Sequence, residues 1–465
     1  MPSVFELIAV LVVLTAAFGW INHVVLRLPH TIGLLIMGLA ASLVLIAVEL
    51  LLPQITLYES VELLLRRIDF QNAVLNGMLA FLLFAGALHV DLSVLRRRAW
   101  SVGLMATLGV LISTAVVGIG VWYAGGLLGL PLPLAWALVF GALISPTDPV
   151  AVLSILKSVQ VEETLEADMA GESLFNDGVG VVLVTVLIAI ASGTAEGGAE
   201  PLHIARLFFV EALGGAAIGL GTGYLAYRAT RAIDNYPIEI LISLALVMGT
   251  YALAAKLHMS GPIAVVVAGI LIGNRGPEDA MSEQTQQYVF SFWGLVDEVL
   301  NSVLFLLIGL EVLVLRFEPA YASLAVASIP LVLTGRFLAV AIPVSTLRSA
   351  QIFAPGTIAV LTWGGLRGGI SIALALSLPE VVEKPPLLAA TYAVVVFTIV
   401  VQGLTLRWLV ERVARRPHSN KSAARFLEIS CKTIETHRSN IMRKLNLKST
   451  AELVRYGIRN GLIDT

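Results

Sequence analysis

Ala170-Gly171-Glu172-Ser173-Leu174-Phe175-Asn176-Asp177-Gly178-Val179-Gly180 runs straight into the apolar stretch from Val181 to Ala191. Residues three and four apart share one helix face, so Glu172, Ser173, Asn176 and Asp177 form a single polar stripe. The helix that carries them is long and apolar enough to cross a bilayer. A carboxylate at that depth costs roughly 2.5–3.5 kcal/mol on insertion scales and is by default functional. The plainer reading places the stripe at the water-exposed start of the helix, where acids suit the positive end of the dipole. Four polar groups in one stripe weigh against it.

Composition puts the whole chain in the membrane class. Of 465 residues, 57% are hydrophobic and only 13% charged, which excludes an ordinary soluble globule. Thirteen apolar segments are expected, near 4–26, 30–52, 71–90, 99–127, 132–157, 170–192, 203–231, 237–256, 259–274, 287–314, 319–343, 353–379 and 386–411. The first lacks a basic leader and a small-residue cleavage site and reads as a retained helix. Cys431 is the only cysteine, so neither an intrachain disulfide nor a thiolate metal cluster is available. The histidines are too scattered for a metal site.

Charge divides the chain in two. From Arg412 onward twelve Lys/Arg face four Asp/Glu, a balance of +8, whereas the rest carries −10. A basic tail on an acidic membrane body signals two modules, expected as 1–412 and 413–465. An odd number of segments places the ends on opposite sides. With the C-terminus inside, inner flanks hold twelve basic residues and outer flanks six, so the positive-inside rule favours N-out and C-in in a cytoplasmic membrane.

Two segments break the apolar pattern. In Ser145-Pro146-Thr147-Asp148-Pro149-Val150 two prolines disfavour helix at Ile144 or Ser145 and at Asp148. In Trp363-Gly364-Gly365-Leu366-Arg367-Gly368-Gly369 two glycine pairs flank an arginine. Broken helices survive at membrane depth only where they line a cavity or lie inside protein. Interrupted segments at matching places in two halves point to the midplane site of a secondary transporter. Their offset of seven segments fits inverted repeats of six around a linking seventh.

A small hard cation leaving water needs oxygen ligands, preferably including a carboxylate. Asp177 supplies that charge or holds a proton, and burial favours a carboxyl's neutral form. One group that takes either ion is the minimum apparatus of antiport. Ser173 and Thr147 offer hydroxyl or carbonyl oxygens, Asp148 lies beside them on the broken segment, and Asn176 is placed to ligate the cation or to hold the acids. Arg367 needs a partner, because an unpaired buried guanidinium is untenable; Glu172 is the candidate, leaving Asp177 free. Spacing alone leaves the opposite allocation open. Arg336 reads as a snorkelling or locally paired residue, Glu311 as a solvated helix end, and Glu162, Glu163, Glu166 and Asp168 as a solvated loop.

Together with Phe84-Ala85-Gly86-Ala87-Leu88 and Leu306-Leu307-Ile308-Gly309-Leu310-Glu311, these stretches resemble the bacterial monovalent cation:proton antiporter-1 group, the sodium/proton exchangers, across roughly residues 4–412. The resemblance implies an all-α polytopic protein of about 13 transmembrane helices, working as a homodimer by elevator motion of a core against a scaffold. It implies exchange of Na⁺ (K⁺ or Li⁺ as alternatives) for H⁺ at Asp177, with Thr147, Ser173 and Asn176 shaping the cation site, and no cofactor. A Glu172–Arg367 pair tied to Asn176, and one-for-one electroneutral exchange from the Asn-Asp pair, are implied too.

The tail is similar to a second family. Ile429-Ser430-Cys431-Lys432-Thr433-Ile434-Glu435-Thr436-His437-Arg438, continuing to Leu445, resembles the helix-turn-helix domain of LuxR-type regulators. Lys432, Thr433, Thr436 and Arg438 would face a DNA groove or phosphates. The Arg-Glu- and Leu-rich helix that opens such domains is missing, so the remaining helices have less to pack on. The tail therefore reads as a truncated, vestigial fragment. A membrane-tethered DNA-binding regulator is the alternative function, and a basic helix lying on anionic lipid the alternative role of the tail.

Overall fold

The computed structural model describes residues 4–51, 72–159, 163–194, 201–313, 319–349, 351, 353–354, 356–414, 430–447, 449, 452–453 and 456. Among the flanking charges, Glu162, Arg66, Arg67, Arg316, Arg415 and Arg416 lie outside the described residues, as does the tail sequence before Ser430. Every described element is helical. The chain opens with α1 (Val4–Ile21), α2 (His30–Leu51), α3 (Leu79–Leu88), α4 (Leu92–Arg97), α5 (Ala99–Leu104) and α6 (Val110–Leu127). It continues with α7 (Leu134–Leu143), α8 (Val150–Val159), α9 (Glu163–Ala191), α10 (Pro201–Thr230), α11 (Tyr236–Lys256), α12 (Gly261–Arg275) and α13 (Glu283–Leu310). Then follow α14 (Pro319–Leu347), α15 (Thr357–Trp363), α16 (Gly369–Leu376), α17 (Lys384–Phe397), α18 (Gly403–Ala414) and α19 (Cys431–Lys444).

Among the described residues eight helices are long and apolar enough to cross a membrane by length and composition. Their outward faces expose Val13, Trp20, Ile119, Leu225 and Leu241, each roughly half accessible or more. Side chains of that kind belong against lipid. Inside, Phe140, Val152, Leu361, Leu366, Ile372 and Val394 are buried in one apolar core, which packs around the two interrupted segments.

The first interruption separates α7 from α8. The chain leaves the helix at Ile144 and re-enters it at Val150, as the two prolines require. Asp148 caps the restart, its carboxylate accepting from Val150 N at 2.9 Å, which satisfies one of the orphan donors of a helix start. The second interruption, residues 364–368, separates α15 from α16. The two unwound stretches touch: Asp148 N donates to Leu366 O at 2.8 Å. Each open stretch thus supplies part of the hydrogen bonding that the other lost, as buried backbone demands. One glycine permits this crossing and another lets α9 close on the first stretch. A Cβ on Gly368 would lie 2.3 Å from the Asp148 carboxylate, and one on Gly180 would lie 2.3 Å from the Pro146 ring.

Several charged residues sit differently from their sequence reading. Helix α9 already begins at Glu163, and Asp168 is buried, ion-paired to Arg98 and accepting from Ser101 Oγ at 2.6 Å. The guanidinium of Arg98 also lies over the Phe353 ring, 4.6 Å from its centre. A charge run suggested solvent, but helical phase turns Asp168 inward. Glu311 is buried as well, not a solvated helix end.

Candidate cation site

The polar stripe of α9 lies against the first unwound stretch. Glu172, Ser173, Asn176 and Asp177 are all buried, Asp177 least so at 7% exposure. Ser173 Oγ donates to the Thr147 carbonyl, and Asn176 Nδ2 donates to Thr147 Oγ1 at 2.9 Å. Thr147 is therefore held at both its oxygens by residues three apart, about one helical turn, on α9. The structure brings Thr147, Asp148, Ser173, Asn176 and Asp177 together, and Thr147, Asp148, Ser173 and Asp177 line one cavity of about 760 Å³.

Asp177 stands apart from its neighbours. Among the described residues its carboxylate makes no hydrogen bond and no ion pair, and it faces the cavity. Asp148 is close enough for the two charges to act on each other. The Asn176 Oδ1 atom is buried and lacks a hydrogen-bond partner among the described residues. Such a group costs about 1–3 kcal/mol unless something fills its valence. Carboxylate and hydroxyl oxygens on the chamber wall, with the Asn176 amide oxygen close by, are ligand types that suit a hard monovalent cation.

The ion pair at Glu172 is a correction. Its partner is Arg336 of α14, not Arg367: Arg336 Nη1 meets Glu172 Oε1 and Nη2 donates to Oε2 at 3.0 Å. Arg336 also donates from Nε and Nη2 to Leu361 O, at 3.1 and 2.9 Å. Arg367 serves the backbone. Its Nη1 donates to Ser145 O at 2.5 Å and Pro146 O at 2.9 Å, while its own N–H donates to Thr398 Oγ1 at 3.1 Å. The reason is local, because an unwound stretch leaves carbonyls without helical donors, and the nearest guanidinium takes them. Arg336 had a signal of its own, being the sole charge in a largely apolar helix of 29 residues, where an ionisable group is functional by default.

In the tail, α19 starts at a Ser430 cap whose Oγ accepts from Thr433 N at 3.0 Å. Lys432, Thr436 and Arg438 are exposed on it and Thr433 is half-buried. The exposed three can be reached by a partner; nothing in their geometry selects DNA.

Comparison with known proteins settles the family. Residues 11–412 match the profile described as "Sodium/hydrogen exchanger, transmembrane". The chain belongs to the sodium/hydrogen exchanger family. Residues 416–457 match a second profile, "Bacterial regulatory proteins, luxR family". The exchanger chain is 45% identical over 414 residues to the Na(+)/H(+) antiporter NhaP of Pseudomonas aeruginosa, covering 88% of this chain and 96% of that one. It is 36% identical over 377 residues to the Na(+)/H(+) antiporter NhaH of Halobacillus aidingensis, covering 80% and 91%. The fold matches the sodium proton antiporter MjNhaP1 of Methanocaldococcus jannaschii with a TM-score of 0.66 at 19% identity, covering 88% and 97%. The exchanger is a multi-pass membrane protein and a transporter, not an enzyme. The regulator reading is not favoured, since the exchanger match takes in the membrane body and the regulator match only the tail.

Proposed function

We propose that this chain exchanges Na⁺ for H⁺ across the cytoplasmic membrane by alternating access, with both ions competing for Asp177. The observation that carries the proposal is the Asp177 carboxylate, buried on the cavity wall and unpaired among the described residues. A carboxylate in low dielectric cannot stay charged alone, so it takes a proton or a cation. Thr147, Ser173, Asn176 Oδ1 and Asp148 supply the remaining oxygens, and the Glu172–Arg336 pair fixes the helix that presents them. One carboxylate shared by two ions of equal charge gives one-for-one, electroneutral exchange. No cofactor is called for. We take the working form to be a homodimer with its N-terminus outside and C-terminus inside, and the division at 412/413 to separate exchanger from tail.

The test is dequenching of a pH-sensitive dye in vesicles holding the purified protein, on adding Na⁺, K⁺ or Li⁺. Wild type is expected to give a cation-dependent signal that Asp177→Asn abolishes without preventing membrane insertion. Full activity in that variant would sink the assignment of Asp177. A folded wild type that is silent with every cation would sink antiport itself.

A further inference from the structure

The cavity holds a second carboxylate that the exchange scheme leaves unused. Asp297 sits midway along α13, about 21 Å from its start at 1.5 Å per residue, and lines the same chamber as Asp148 and Asp177. Asp297 is half-buried, oriented by Asn301 Nδ2, which donates to its Oδ1 at 3.0 Å. Asn301 is itself 2% exposed. Asp297 is near enough to Asp148 for its charge to act there.

Ser371 meets the same chamber from a second helix, α16. Helices α13 and α16 are in contact, and a Cβ on Gly369 would lie 2.4 Å from the Leu304 side chain. That packing brings Ser371, two residues further along α16, onto the same chamber. Ser371 is 1% exposed, and its Oγ has no hydrogen-bond partner among the described residues. Ser371 stands in the first turn of α16, where no helical turn precedes it, and a buried hydroxyl without a partner on the wall of the chamber is set for a ligand from it.

We propose that Asp297 and Ser371 form a second cation-holding station, on the route that brings the cation to Asp177. Asn301 positions the Asp297 carboxylate and Ser371 adds a neutral oxygen, with Asp148 standing between this station and Asp177. A cation with several oxygens in reach sheds its water in stages, which lowers the cost of arriving at the buried site. The station lies on α13 and α16, so it is distinct from the α9 residues that exchange the ions. The proposal rests on the antiport reading.

The test is Na⁺-dependent exchange by the full chain in vesicles, with KM and maximum rate measured for wild type, Asp297→Asn, Asp297→Glu and Ser371→Ala. Removing the charge is expected to raise the Na⁺ KM roughly tenfold, the scale of one charge contact at a partly wet site, and more than it lowers the maximum rate. Ser371→Ala is expected to raise KM about threefold, and Asp297→Glu to recover most of the loss. A merely structural Asp297 would lower the amount of folded protein and the maximum rate while leaving KM alone. Folded Asp297→Asn and Ser371→Ala proteins with KM within about twofold of wild type overturn the station. If Asp297→Asn does not fold, Ser371→Ala decides by the same criterion. A silent wild type overturns antiport separately; calorimetric Na⁺ titration of the solubilised protein then judges the station, which fails if neither substitution weakens binding.

Discussion

Glu172 and Arg336 form a buried pair whose value lies in what its loss would expose. Both carboxylate oxygens are engaged and the guanidinium is further spent on Leu361 O. Breaking such a pair from one side strands a charge at a cost of about 3–5 kcal/mol. Glu172→Ala and Arg336→Ala are each expected to lower the thermal stability of solubilised protein, with the double variant losing less than the sum. The coupling of Glu172 with Arg367 should be the smaller of the two, which the corresponding cycle measures. Equal or larger coupling to Arg367 would contradict the arrangement. Sequence spacing identified Glu172 as the partner of a buried arginine because a charge at that depth demands one. It could not choose between arginines on different helices, since that choice is made by packing across the bundle. Arg367 was the natural candidate only while the needs of the Ser145 and Pro146 carbonyls were out of sight.

At the scale of elements, the two interruptions were legible in the sequence because proline and glycine act locally. Pro146 and Pro149, three positions apart, disfavour helix between them, and paired glycines on either side of Arg367 mark a close approach of backbone. What the unwound stretches pack against was not legible: the Asp148–Leu366 bond joins residues more than two hundred positions apart. Asp168 was hidden for a related reason, as its acidic neighbours look like a loop until the helix is seen to start at Glu163. The crossing also predicts a sensitive glycine. A methyl group on Gly368 would meet the Asp148 carboxylate at 2.3 Å, so Gly368→Ala must displace either the carboxylate or the backbone. Exchange is expected to fall roughly tenfold or more, because small displacements of ligating groups are costly. Inserted, folded protein with unaltered exchange would show that this contact is unimportant.

Across the whole molecule, composition alone carried the class, and the charge asymmetry marked where membrane body gives way to tail. The tail's working state was not legible, since exposed Lys432, Thr436 and Arg438 fit more than one kind of partner. Exchange by a protein ending at Ala414 is expected to match the full chain within about twofold, since the exchanger match ends at residue 412. A large loss measured in the same vesicles would make the tail a regulator of the transporter. The crossing itself has a mechanical consequence. Thr147 is gripped at both oxygens from α9, Asp148 is tied to Leu366, and Arg367 reaches back to Ser145 and Pro146. These bonds tie α9 and the Leu366–Arg367 stretch to the same Ser145–Asp148 stretch, so that stretch slides against neither without tearing them. On the proposed antiport reading, cargo held there would move together with these segments as one body, not past any one of them.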